Sequence, residues 1–176
     1  MTGPPTAIRT TRLLLRPFRP EDLPAYTAIR SDPETARYLP GGAAAAAESP
    51  ERARKIIRAW GDGAWQDGGY APWAVEHVEN GGRLIGHLGL RHLPEIGATE
   101  LLYLLERPAW GRGFATEGAR AAIAFARDRL GLAYLVALAM PENTASIAVM
   151  RRCGFAHEGP IRIFGIDGVR YGLRLR

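Results

Sequence analysis

The chain has 176 residues, 47% of them hydrophobic, which suits one domain spanning 1–176 with a proper core and is too short for two. A single cysteine, Cys153, excludes an intramolecular disulfide framework and a cysteine-based metal cluster. The formal charge of +5 is arginine spread along the chain, with Lys55 the sole lysine, so it favours an anionic ligand over general nucleic-acid binding.

In chain order, TTRLLLRPFRPED reads as a strand running into a helix start, because Glu21 and Asp22 suit a helix N-terminus. Two short helices follow over 21–31 and 33–39, broken at Asp32-Pro33. A helix over about 49–60 comes after a polyalanine stretch read as loop, a poorly defined entry to it. After Gly68-Gly69 the period changes to two. APWAVEHVE, the turn Asn80-Gly81-Gly82 and RLIGHLGLRHL make a hairpin, and TELLYLLE is the next strand. The loop WGRGFATEG then opens a helix over about 114–130, with Ala115, Ala119, Ala122, Ile123, Ala126 and Leu130 on one face. YLVALAM (134–140) is a strand apolar enough to be buried on both sides. PENTASIAVMRRCG is a short helix capped by Asn143 and closed by Gly154. FAHEGPIRIF and VRYGLRLR, joined through Gly165-Ile166-Asp167-Gly168, form a final hairpin. This order predicts a mixed α/β (α+β) sheet.

A glycine-rich turn between a strand and a helix brings backbone N–H groups and the positive end of the helix dipole against an anion. In WGRGFATEG, Gly111 and Gly113 remove obstructing side chains, Arg112 adds charge and Thr116 a hydroxyl. The same glycines serve equally well to shape a tight turn. A Walker loop and a dinucleotide fingerprint both fail on residue type and position.

ELLYLLERPAWGRGFATEGARAAIAFA and ALAMPENTASIAVMRRCGF together resemble the acyl-CoA-binding core of the GNAT acetyltransferase superfamily. The branch resembled is that of the ribosomal-protein N-terminal acetyltransferases (RimJ/RimL-type), and TTRLLLRPFRPEDL, RYLPGG, WAVE, LIGHLGL and GIDGVRYGL extend the likeness over nearly the whole chain. The resemblance implies a mixed, mostly antiparallel sheet flanked by helices, acetyl-CoA as cosubstrate, and no metal. It implies that the backbone of Arg112, Gly113, Phe114, Ala115 and Thr116 holds the CoA diphosphate, with Trp110 where the family usually has Gln or Arg. The main chain of Tyr103, Leu104 and Leu105 would pair with pantetheine, and Asn143 and Ser146 would lie beside the thioester.

Direct attack by an amine in a ternary complex needs no covalent intermediate, so the lack of a Ser-His-Asp or Cys-His arrangement is expected. Glu100 is the candidate base, since desolvation in an apolar strand would raise its pKa usefully; the alternative is a surface-facing residue. Ser146 would donate a hydrogen bond to the leaving thiolate, with Asn143 beside it; the alternative for both is capping alone. Relatives often place a tyrosine on or after this helix where Phe155 stands, and Tyr171 is a weaker substitute. Glu117 complements the helix dipole. His77, His87, His92 and His157 lack metal-ligand spacing, with His87 a remote alternative base. Trp60, Trp65 and Trp73 read as core or pocket lining, Arg151 and Arg152 as solvated charges or CoA-phosphate contacts, and Cys153 as a buried thiol.

The acceptor is a primary amine, either a protein N-terminal α-amino group or a small molecule, with RYLPGG and RIFGIDGVRYG as selectivity segments. The alternatives are a non-catalytic acyl-CoA-binding module and, last, an RNA-binding protein. A cytoplasmic location without membrane attachment is expected, and an edge strand and hairpin would permit a homodimer.

Overall fold

The computed structural model describes residues 7–61 and 70–175. One mixed sheet of eight strands organises them: β1 (Ile8–Arg9), β2 (Leu13–Arg16), β3 (Trp73–His77), β4 (Arg83–Leu93), β5 (Ala98–Leu105), β6 (Tyr134–Ala139), β7 (Ala156–Ile163) and β8 (Ile166–Arg174). Their spatial order is β1-β2-β3-β4-β5-β6-β8-β7. Every neighbouring pair is antiparallel except β5 and β6, which run parallel and meet only at Glu100 and Val136. The helices are α1 (Leu23–Ser31), α2 (Pro33–Ala36), α3 (Ser49–Trp60), α4 (Phe114–Asp128) and α5 (Thr144–Arg152). This is the expected architecture, and the break at Asp32-Pro33 falls where the sequence puts it, the Asp32 carboxylate accepting from the Glu34 N–H at 3.0 Å.

The faces of the sheet are covered differently. On one, α4 lies close enough that a Cβ on Gly118 would sit 2.8 Å from Leu88 Cδ1. Glycine and alanine therefore set the separation of helix and sheet. Ala119, Ala122 and Ala126 are fully buried there with Trp73, Leu88 and Leu101, whereas Ala115, Ile123 and Leu130 flank the contact, which Gly118 and Phe125 complete. On the other face, a smaller cluster of Phe18, Tyr26, Ile29, Ala53, Ile57, Ala74 and Leu84 joins α1 and α3 to the sheet. Arg16 pins the start of this layer: it bonds Asp22 through both terminal nitrogens at 2.8 and 2.7 Å and Glu76 through Nε at 2.5 Å.

Several boundaries differ from the sequence reading. The polyalanine stretch is a 3-10 helix over Gly42–Glu48 rather than a loop, since alanine keeps helical dihedrals even in this tighter form. Helix α4 stops at Asp128 because Leu132 N–H reaches back to Ala126 O at 3.0 Å across Gly131 (φ 64°). In the final hairpin the turn is only Phe164-Gly165, with φ of 54° and 74°, and Ile166, Asp167 and Gly168 already belong to β8. Two consecutive positive φ values match the strand twist, but a phenylalanine at the first of them hides the turn from sequence inspection. Strand β1 carries no sequence signal at two residues. Trp65 and the Gly68-Gly69 boundary lie outside the described residues.

Candidate active site

Beyond the single bridge at Glu100 and Val136, β5 and β6 diverge, and residues 101–105 of β5 have no ladder partner on that side among the described residues. The gap is one wall of a cavity of about 1510 Å³ that extends from the WGRGFATEG loop past α5 to α1 and the last hairpin. A pocket for one drug-sized ligand is about 300–1,000 Å³, so this space fits two substrates side by side. Both expected selectivity segments border it, through Tyr38, Leu39 and Pro40 on one side and Ile163, Phe164 and Ile166 on the other.

At the loop, Gly111 and Gly113 have φ of 70° and 80°, a backbone that residues with a Cβ rarely adopt. The first α-helical bond is Glu117 N–H to Gly113 O at 3.0 Å. The amides of Phe114, Ala115 and Thr116 thus precede any intrahelical acceptor, and all three residues line the cavity. Trp110 Nε1 donates to Leu105 O at 2.7 Å, so the indole in place of Gln or Arg closes the end of β5. Arg112 turns its guanidinium over the Phe114 ring at 4.7 Å, and Arg12 takes the same ring at 4.5 Å.

Arg12 is a residue that sequence reasoning missed. Its Nη1 donates to Arg112 O at 2.9 Å, while Glu117 accepts from Arg12 Nε at 2.7 Å, Arg12 N–H at 2.8 Å and Thr10 Oγ1 at 2.6 Å. Glu117 therefore does more than complement a dipole: it ties the N-terminal segment to the loop and holds an extra cation beside it. A hundred residues separate the partners, so no local signal reveals the contact.

Glu100 is 5% exposed and turned inward, which removes the surface-facing alternative. Burial pushes its pKa up, opposed by Arg91, whose Nη2 and Nε reach the same Oε2 at 2.5 and 3.1 Å. Arg91 is directly opposite Glu100 in the β4–β5 ladder, and His87 is opposite Leu104. His87 is buried with Nδ1 2.8 Å from Tyr26 Oη. Burial, aided by Arg30 and Arg91, holds its pKa well below the usual imidazole value, so it is a neutral ring against Trp60 at 5.0 Å rather than a strong base. Burial also pushes the Tyr26 phenol up to about 12.

At the start of α5, Asn143 caps the helix by accepting the Ser146 N–H at 3.1 Å, and both residues border the cavity. Ser146 has a partner the sequence did not reveal. Tyr103 Oη donates to Ser146 O at 2.9 Å and lies 2.9 Å from Ser146 Oγ; burial raises the phenol's pKa well above the ordinary value. A tyrosine in a strand read only for its main chain thus brings a hydroxyl to Ser146 at the start of α5. Phe155 is core, and Tyr171 packs on His157 with its hydroxyl 3.4 Å from Arg151 Nη2, away from the cavity. Trp73 is core and Trp60 lines the cavity. Cys153 is half-buried at the end of α5, and burial raises its pKa. Among the described residues no cluster of three or more His, Cys, Asp or Glu is placed to hold a metal, and no helix is long and apolar enough to cross a membrane.

A splayed parallel strand pair, a glycine-bounded helix start and a double-length cavity define an enzyme that brings an acyl-CoA to an amine. Residues 12–156 match the family described as Acetyltransferase (GNAT) domain, and the chain belongs to it. It is an acetyl-CoA-dependent N-acetyltransferase. It is 31% identical over 154 residues to the uncharacterized N-acetyltransferase p20 of Bacillus licheniformis, covering 87% of this chain and 84% of p20. An acetyltransferase from Agrobacterium tumefaciens superposes with a TM-score of 0.80 at 28% identity, over 96% of this chain and 94% of that one. The fold also matches RimL, a ribosomal α-N-protein acetyltransferase solved with coenzyme A, at a TM-score of 0.72 and 22% identity over 96% and 98% of the two chains.

Proposed function

We propose that the enzyme transfers the acetyl group of acetyl-CoA directly to a primary amine, an α-amino group in preference to a lysine side chain. The observation that carries this is Glu100: a buried carboxylate paired with Arg91 in the cavity wall at the point where β5 leaves β6. A lysine amine, which ordinarily titrates at about 10.4, is harder to deprotonate at neutral pH than an α-amine near 7.7–8.0, and one weak base suffices for the latter. The family relatives that act on ribosomal protein N-termini support the same acceptor class.

In this reading acetyl-CoA supplies the activated acetyl group, its diphosphate resting on the amides of Arg112 to Thr116 and its pantetheine along the free side of Tyr103, Leu104 and Leu105. The amine nitrogen forms a bond to the acetyl carbonyl as its proton passes to Glu100, and the C–S bond breaks. A main-chain N–H of β5 stabilises the negative charge on the carbonyl oxygen. Ser146, oriented by Asn143 and paired with Tyr103, donates a hydrogen bond to the departing sulfur, which leaves as a thiolate and takes a proton from solvent while Glu100 releases the amine's proton to solvent.

Calorimetric titration with acetyl-CoA, followed by thiol-release assays over peptide N-termini, polyamines and aminoglycosides, tests the reading. Micromolar binding and turnover of peptide N-termini is the expected result. Lack of acetyl-CoA binding would sink the assignment of the loop; binding with turnover only of polyamines would overturn the α-amine preference.

A further inference from the structure

One end of the cavity contains a buried cation with no counter-ion among the described residues. Arg30, in the last turn of α1, is 6% exposed and borders the cavity beside Trp60 and His87. Its Nε is buried and has no hydrogen-bond partner among the described residues. The carboxylates that border the same cavity are engaged elsewhere: Glu34 faces Arg37 at 3.9 Å, Glu100 holds Arg91 at 2.5 Å, and Glu117 holds Arg12 at 2.7 Å.

The Tyr26 ring centre lies 5.9 Å from the Arg30 guanidinium, the outer reach of a cation–π contact and no replacement for an anion. Arginine keeps its charge at any physiological pH, so it cannot escape burial by losing a proton. A buried ion without an opposite charge is one of the least favourable arrangements a fold can contain. An anion delivered by a ligand removes the imbalance, and the guanidinium fork matches a carboxylate.

The position also sets a length. Arg30 and His87 border the cavity together, and His87 lies opposite Leu104, four residues along β5 from Glu100. Four residues of strand span about 13 Å. The two charges thus border the cavity from positions several residues apart along the sheet, which favours an acceptor whose carboxylate is separated from its amine by several bonds.

Resting on the α-amine acetyltransferase reading above, we propose that Arg30 forms an anion subsite of the acceptor pocket. The acceptor is then a primary amine with a carboxylate several bonds from its nitrogen, as an acidic side chain at the second position of a peptide provides. The test compares glycyl-glutamate amide with glycyl-glutamine amide, two acceptors with one amine and nearly one shape. Each is titrated by calorimetry into CoA-saturated protein, then assayed for acetylation. The acidic dipeptide should bind at least ~10-fold more tightly, equivalent to about 1.4 kcal/mol. Arg30→Gln should reduce it to the level of the neutral one, and Arg30→Lys should keep part of the preference, with acetyl-CoA affinity unchanged in both. Equal binding by the wild-type protein, or no binding by either dipeptide, overturns the proposal even if Arg30→Gln fails to fold. Selective binding without acetylation would uphold the subsite and remove the transferase reading; acetylation without preference would do the reverse.

Discussion

The two ends of the cavity are built from different materials. At the end proposed for the cofactor the available groups are the backbone amides that start α4 after Gly111 and Gly113. At the acceptor end they are side chains from distant elements: Arg30 from α1, His87 and Arg91 from β4, Glu100 from β5 and Phe164 from the last turn. Backbone donors serve any diphosphate in the same way, so that end is a fixed socket. Side chains differ with each residue, so in the proposed reading this end is where specificity is decided.

The largest expected effect separates chemistry from binding. Glu100→Gln should lower kcat by about 100-fold while the calorimetric affinity for acetyl-CoA stays within a factor of about three. The same carboxyl sets a pH limb: only its deprotonated form accepts a proton, so activity falls with pH on the acid side. Because burial raises its pKa, that limb should lie above the usual glutamate range. Arg91 pulls the pKa down, so Arg91→Leu should shift the limb further towards alkaline pH. Profiles with a weakly basic acceptor amine, whose own titration lies apart, measure this.

Next in size is Gly113→Val, which places a branched residue at φ 80° and its Cβ 3.4 Å from Arg12 Nη2. Backbone strain of about 1–3 kcal/mol should weaken acetyl-CoA binding by about 10- to 100-fold, with kcat at saturation little changed. A loss in kcat alone would put the loop in the chemistry and erase the contrast between the ends.

Ser146→Ala and Tyr103→Phe should each reduce kcat by about five-fold, the value of one hydrogen bond near 1 kcal/mol. As these residues bond each other at 2.9 Å, the double variant should lose less than the product of the two. Strict multiplicativity would mean that they act apart. Smallest is Glu117→Gln, which weakens the contacts to Thr10 and Arg12. For a partly exposed pair worth about 1 kcal/mol, a drop in Tm of about 3 °C is expected, measurable by thermal melting.

The contrast between the ends is also a contrast in legibility. The cofactor end is contiguous in the chain: strand, two glycines and helix follow one another over 98–128, and each has a local period or conformational requirement that residue types reveal. Asn143 as cap and Glu100 as an acid in an apolar strand are readable for the same reason. Arg30 and Arg12 are not. In sequence each is one arginine among many, and only the packing of α1 on β4, or of β2 beside α4, gives it a neighbourhood. Tyr103 shows an intermediate case: its strand is evident, but Ser146, the residue its hydroxyl meets, lies 43 residues further on.

By itself, then, the sequence determined the order of elements, the helix starts at Phe114 and Thr144, and the glycine-bounded turn between strand and helix, because these depend on hydrogen bonds and φ preferences within a few residues. The tertiary structure decided which charges are paired. It buried Glu100 against Arg91, drew Arg12 to Glu117 and left Arg30 with no acid among the described residues, since desolvation and Coulomb energy depend on distances that only folding sets.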